Sequence, residues 1–148
     1  MSDTPLTAKS RILAVDFGDA RTGLAATDWT GTIAVPLPRI DSRDRAQVIQ
    51  KVLEMANERE SQAIVVGLPL TLDGTLGERA QHTQQFVNQL QQATPLPVAT
   101  VDESHTTDEA HDRLKQGGMK AKKRKDHADS ISALVILERY RDHLRRPH

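Results

Sequence analysis

The chain has 148 residues, 37% hydrophobic and 27% charged, with twenty basic side chains balancing twenty acidic ones and no cysteine. That length suits one domain with a sizeable core, no apolar run approaches the roughly 18–20 residues of a membrane span, and the lack of cysteine excludes disulfides and thiolate chemistry. The mean hydropathy of −0.53 fits a soluble globular protein, and the polar opening "MSDTPLTAKS" lacks the apolar core of a secretory signal, so a cytoplasmic location with no membrane partner is expected.

In chain order, the apolar run of residues 11–16 reads as a strand. Thr22 to Thr27 and Thr32 to Leu37 read as two more, joined by the turn Asp28-Trp29-Thr30-Gly31. Ser42 is placed to cap a helix that runs to about Glu60 and turns Val48, Ile49, Val52, Leu53 and Ala56 to one side. "AIVVGLPL" then reads as a strand buried on both faces. The loop Thr71-Leu72-Asp73-Gly74-Thr75 leads to a helix from about Leu76 to Gln92 with Ala80, Phe86, Val87 and Leu90 inward. Pro95 and Pro97 end it, and "VATVDE" is the next strand. Thr106 and Glu109 match a capping box, with Gly117-Gly118 as the stop of that helix. A glycine-rich basic loop, "GGMKAKKRK", precedes a last helix whose Ala133, Ile136, Leu137, Tyr140 and Leu144 share a face. The alternation predicts an α/β fold whose sheet starts as an antiparallel meander. One domain is expected to span residues 1–148, with 1–10 a flexible tail and 141–148 a frayed end.

Charge is unevenly placed: residues 113–148 carry eleven Lys or Arg against four Asp or Glu, a surplus of seven positive charges that the rest of the chain offsets. Solvated helix faces explain such a pattern, and so does a polyanion docking beside carboxylates that hold metal. Only four aromatic residues are present, Phe17, Trp29, Phe86 and Tyr140, too few for reading single-stranded bases by stacking, so nucleic acid is expected to be recognised by backbone and shape.

Three acidic positions stand out. Asp16 ends the first strand, Asp102 and Glu103 end the last, and Asp129 lies four residues before Ala133 on the apolar side of the final helix. Adjacent strand residues face opposite ways, so only one of Asp102 and Glu103 can share a site with Asp16. Each has an ordinary explanation: Asp16-Phe17-Gly18-Asp19 as a turn, Asp126 as a helix cap with Asp129 in the first turn, and one of the strand-end pair simply solvated. Together they read differently, because converging carboxylates repel unless a cation lies among them. Oxygen ligands without cysteine or a histidine cluster select Mg²⁺ or Mn²⁺ over Zn²⁺. The six histidines show no zinc spacing. "DFG" lacks the rest of a kinase's motifs, and Gly18-x-x-x-x-Gly23 lacks the Lys-Ser/Thr of a phosphate loop.

With "AVDFGDARTGLA", "IVVGLPLTLDGT", "VDESHTTDEA" and "DHADSISALVILERY", the chain from Arg11 to about Tyr140 resembles the YqgF/RuvX family of bacterial Holliday junction resolvases and ribosomal RNA precursor nucleases. The resemblance implies an RNase H-like fold, a mixed five-stranded sheet (three antiparallel strands, then parallel ones) with helices on both faces. It implies catalytic, metal-holding acids at Asp16, Glu103 and Asp129. These would hold two Mg²⁺ or Mn²⁺ ions bridged by Asp16 for hydrolysis of phosphodiester bonds. Gly18, Arg21, Lys120, Lys122, Lys123, Arg124 and Lys125 are the candidate contacts to nucleic acid, either structured RNA or branched DNA. The family's Asp-Glu-Arg is Asp102-Glu103-Ser104 here, with His105 following, and Thr71 stands where Asn is frequent. The implied function is nuclease processing of the 5′ end of pre-16S rRNA in ribosome biogenesis, work that a monomer can do, with monomer and homodimer both open. The alternatives are a dimeric Holliday junction resolvase and, on the altered Ser104 and His105, a non-catalytic nucleic-acid or ribosome-associated module. A sugar-kinase-like ATPase would need a second related domain, for which the chain has no room.

Overall fold

Ile12, Leu13, Ala14 and Val15 are each at most 1% exposed, a degree of burial that only a central strand covered on both faces provides. The computed structural model describes residues 6–70, 77–102 and 121–145, with 121–129 described by backbone alone. Its strands are β1 (Ile12–Asp16), β2 (Arg21–Thr27), β3 (Ala34–Asp41), β4 (Ala63–Leu68) and β5 (Val98–Asp102), and its helices are α1 (Arg45–Glu58), α2 (Glu78–Ala93) and α3 (Ala121–Arg145). The strands form one sheet in the order β3-β2-β1-β4-β5. β1 pairs antiparallel with β2 and parallel with β4, β2 antiparallel with β3, and β4 parallel with β5. This is the expected mixed sheet with helices on both faces.

The period-two alternation of the strands divides the core. Leu13 and Val15 of β1, Leu24 of β2 and Ile64 and Val66 of β4 pack with Val48, Val52 and Ala56 of α1 and with Phe86, Val87 and Leu90 of α2. On the other face Ile12, Ala14, Ala25 and Val65 meet Ala133, Ile136, Leu137 and Tyr140 of α3, the helical spacing read from the sequence. Burial pushes the Tyr140 phenol pKa up.

The β2–β3 hairpin is fixed by Asp28, whose Oδ1 accepts from the Thr30 hydroxyl at 2.8 Å and from the amides of Thr32 and Ile33 at 3.0 and 3.2 Å. Gly31 takes φ +72°, and a Cβ there would collide with the Lys9 carbonyl.

Three boundaries differ from expectation. β3 occupies Ala34–Asp41 rather than ending at Leu37; it is an edge strand, which tolerates Pro36 and Pro38. The cap of α1 is Asp44, accepting from the Ala46 amide at 3.0 Å, while Ser42 Oγ instead accepts from the Asp44 amide at 3.1 Å. Residues 121–125, expected as loop, belong to α3, so Asp126 is not its cap; alanine, lysine and arginine are good helix formers even without an apolar stripe. Side chains near both ends of the described residues are held. Ser10 is buried and its Oγ accepts from the Thr7 amide at 2.8 Å. Arg141 is 4% exposed and donates to the carbonyls of Ala8, Gly31 and Thr32 at 3.0–3.1 Å. Among the described residues no helix is long and apolar enough to cross a membrane.

Candidate functional site

β1, β3, β4 and β5 run in one direction and β2 in the other, so four strand ends and the start of β2 share a single edge of the sheet. Asp16, Arg21, Asp41, Leu68 and Asp102 all lie along it. At such an edge side chains project past the sheet into space that the covering helices leave open.

Asp16 follows Ile12 and Ala14 in the alternation and therefore belongs to the α3 face. It is half-buried, and its Oδ1 is shut off from solvent. Its direct cross-strand partner on β2 is Gly23. On the other side Val15 pairs with Val66, which puts Gly67 in the row next to Asp16. The carboxylate thus stands between two residues without side chains. A rigid, partly desolvated carboxylate with open flanks is a donor of the kind hard divalent cations take. Among the described residues no three His, Asp or Glu side chains form a group able to hold a metal ion; Glu103 and the side chain of Asp129 lie outside those residues.

Helix α3 brings its early turns to the same edge. The Ser130 hydroxyl donates to the Leu37 carbonyl at 2.6 Å. Leu37 pairs with Leu24 and Leu24 with Val15, so the backbone at residue 129 precedes a tie to the row next to Asp16. At the opposite end of the helix Arg141 is bonded to the hairpin at Gly31 and Thr32. The helix therefore runs against β1, with residue 129 toward the edge that Asp16 terminates.

Of the other candidates, Gly18 makes the tight turn after β1, since a Cβ there would collide with the Arg21 carbonyl. Arg21 is exposed at the start of β2, in register with Asp41. Lys122, Lys123, Arg124 and Lys125 are in the first turns of α3, and Lys120, Ser104 and His105 lie outside the described residues. Val101 packs toward α3, so Asp102 belongs to the opposite face from Asp16 and is exposed. Its carbonyl accepts from Arg139 Nη1.

Phe17, one residue past Asp16, turns to the α1/α2 face as the alternation predicts. Its ring stacks on Phe86 with centroids 4.1 Å apart and planes at 6°. What the sequence reading missed lies beyond that ring: His82 stacks on Phe17 at 6.0 Å, and Arg45 Nη2 sits 3.3–3.4 Å from both His82 ring nitrogens. The polar run Ser42-Arg43-Asp44-Arg45, placed after a strand that ends on the Asp16 edge, was the available signal.

The family model described as RuvX, Holliday junction resolvase, matches residues 10–143. A Synechococcus sp. (strain JA-2-3B'a(2-13)) protein named "Putative pre-16S rRNA nuclease" is 38% identical over 133 residues, 90% of this chain and 78% of its own. One of the same name from Protochlamydia amoebophila is 38% identical over 140 residues, 90% of this chain and 93% of its own. Among solved structures, Thermus thermophilus RuvC in complex with a Holliday junction substrate superimposes with a TM-score of 0.55 at 16% identity, covering 88% of this chain and 96% of that one. The fowlpox virus resolvase bound to Holliday junction DNA gives 0.57 at 12% identity, covering 92% and 99%. At those identities the two structures establish the RNase H-like fold of the chain.

Proposed function

Because this chain belongs to the RuvX family of Holliday junction resolvases, we propose that it hydrolyses phosphodiester bonds in structured nucleic acid and that its substrate is the 5′ region of pre-16S rRNA, the molecule for which its relatives are named. The observation that supports the reading is the Ser130–Leu37 hydrogen bond, which ties the residue after position 129 to the strand row next to Asp16.

Asp16, Glu103 and Asp129 would hold Mg²⁺ or Mn²⁺. Asp102 is set aside by its face, which leaves Glu103 as the strand-end acid for the role. Such ions, when bound, acidify water and stabilise a leaving oxygen. The residues of the chain do the rest. Asp16 presents a carboxylate fixed by the strand it ends, with little freedom to lose on binding. Gly23 and Gly67 leave its flanks open to a phosphate. The turn at Gly18 keeps backbone out of that path. Arg21 and the lysines and arginine of residues 120–125 supply positive charge for the nucleic-acid backbone, so binding weakens steeply with salt. Acting on an RNA end in the cytoplasm requires no two-fold symmetry, so a monomer suffices, whereas symmetric cutting of a junction calls for a two-fold dimer. The family's description as Holliday junction resolvases favours the junction as the second reading.

The test incubates purified protein with labelled precursor rRNA 5′ region, duplex RNA and a four-way DNA junction, with Mg²⁺, Mn²⁺ or EDTA, beside Asp16→Asn and with light scattering for oligomeric state. Cleavage of the RNA that needs the ion and is lost in Asp16→Asn, with RNA binding kept, is the expected result. Preferred cutting of the junction by a dimer moves the assignment to the resolvase. Full activity in Asp16→Asn overturns the assigned site, and absence of both cleavage and Mn²⁺ binding makes the chain a non-catalytic binding module.

A further inference from the structure

The sheet edge has a second face, and a cleft of about 640 Å³ opens on it. Its polar walls come from three separate segments: Gly18 and Asp19 after β1, Arg43 and Arg45 around the start of α1, and His82 on α2, with Phe17 beneath. Chain segments far apart in sequence thus bring two arginines and a histidine together one residue away from Asp16, on the side the acids do not use.

The geometry of the cluster says what it is built to receive. Arg45 Nη2 is 3.4 Å from His82 Nδ1 and 3.3 Å from Nε2. A donor in the ring plane cannot be equidistant from both nitrogens at that range without striking the carbon between them. The guanidinium nitrogen therefore lies over the imidazole face with an N–H aimed at the ring, while Nε and Nη1 of Arg45 make no hydrogen bond among the described residues. A contact of this kind holds a guanidinium at one nitrogen while leaving the Nε and Nη1 donors available to an oxyanion. Arg43 is exposed and makes no hydrogen bond among the described residues. The opposing charge is Asp19, whose Oδ1 is 3.6 Å from His82 Nε2 with its side chain 85% exposed. It orients the imidazole without neutralising two arginines. Two arginines beside an imidazole, one of them held by it, form an arrangement suited to a phosphate.

We propose that this cleft binds a backbone phosphate of the nucleic-acid substrate, away from the bond being cut, through Arg43 and Arg45, with His82 positioning Arg45. The inference rests on the nuclease reading for the identity of the ligand. The cleft would hold the strand that crosses the sheet edge at Gly18, while the scissile phosphate lies on the α3 side at Asp16.

The experiment measures anisotropy of labelled structured RNA in EDTA across a NaCl series, for the wild type, Arg43→Ala/Arg45→Ala, Arg43→Lys/Arg45→Lys, His82→Ala and, as a control for charge alone, Arg145→Ala at the far end of α3. Truncating both phosphate-binding arginines should weaken binding about tenfold or more at low salt and reduce the log–log salt slope by about 0.7–0.9, the share of one phosphate. His82→Ala should show a smaller loss of affinity. The lysine pair should restore the slope, and Arg145→Ala should leave it unchanged. Affinity and slope in the alanine pair equal to wild type would overturn the site, as would an equal fall in Arg145→Ala. Inorganic phosphate titrated at constant ionic strength separates the sources: phosphate held by the wild type while the alanine pair keeps full RNA affinity assigns the cleft to a free phosphate and overturns the backbone contact. Failure of the nuclease reading shows elsewhere, as absence of Asp16-dependent cleavage, so the two outcomes are read independently.

Discussion

Asp16 and Gly23 are direct partners across β1 and β2, on the face covered by α3. Side chains in that relationship have Cβ atoms ~5 Å apart. Gly23 does not take a positive φ, so the backbone itself does not demand glycine there. Its value is lateral room for the carboxylate. Gly23→Val is expected to lower cleavage by about 10²-fold, the scale of a misplacement of about 1 Å, and to weaken Mn²⁺ binding by calorimetry, with circular dichroism unchanged. Wild-type activity in a folded Gly23→Val protein would show that the space beside Asp16 is not used.

Ser130 ties α3 to β3 through the Leu37 carbonyl at 2.6 Å. Ser130→Ala removes the donor and is expected to cost about 1–2 kcal/mol in urea unfolding. Because the tie is one residue from Asp129, turnover should fall further than the stability loss alone explains. Ser130→Thr should recover both. Equal kcat in all three proteins, measured well below their unfolding midpoints, would confine the hydroxyl to a structural role.

Arg141 donates to the carbonyls of Ala8, Gly31 and Thr32 and pairs with Glu138 at 3.3 Å while only 4% exposed. Arg141→Met retains the aliphatic bulk but strands those acceptors, so a loss of about 3–5 kcal/mol is expected. Thermal melts of the variant at constant protein concentration test it.

Thr22 runs the other way. It is fully buried and its Oγ1 has no hydrogen-bond partner among the described residues. Thr22→Val keeps the shape and removes the stranded hydroxyl, so a gain of about 1 kcal/mol is expected. A lower unfolding midpoint would mean that the hydroxyl is satisfied in solution.

Asp28 gives a pH dependence. Hydrogen bonds from the Ile33 amide and the Thr30 hydroxyl hold its carboxyl below the ordinary carboxylate range. A carboxylate pKa lower in the folded chain than in the unfolded one stabilises at pH values above the unfolded pKa, and the contribution is lost as pH falls through the folded value. The hairpin amides of Thr32 and Ile33 should therefore keep their NMR positions down to the ordinary carboxylate range and shift together under stronger acid. Asp28→Asn should abolish that step.

Much of this was legible in the chain because local and tertiary preferences agree. Residues 12–15 are apolar on both strand faces because both faces are covered, and the stripe from Ala133 to Tyr140 has the period of a helix that packs on one side. Where the two preferences part, sequence reading stopped short. Prolines at 36 and 38 suggest a strand's end, yet an edge strand needs only one side of its backbone bonds. The basic run 121–125 has no apolar period, yet its residues favour helix. At the site, Asp16 was readable as a charge closing an apolar strand, and the alternation told Phe17 to face away from it. The row shared by Asp16, Gly23 and Gly67 was not readable, since register depends on pairing between distant segments. Nor was the meeting of Arg45 with His82, which lie 37 positions apart.

Arg141 fastens α3 to the hairpin whose tip exposes Trp29, 61% open to water. Twelve residues of helix, about 18 Å, lie between that fastening and position 129. A displacement of the hairpin would therefore be felt along a stiff rod whose other end is directed toward the edge that Asp16 closes.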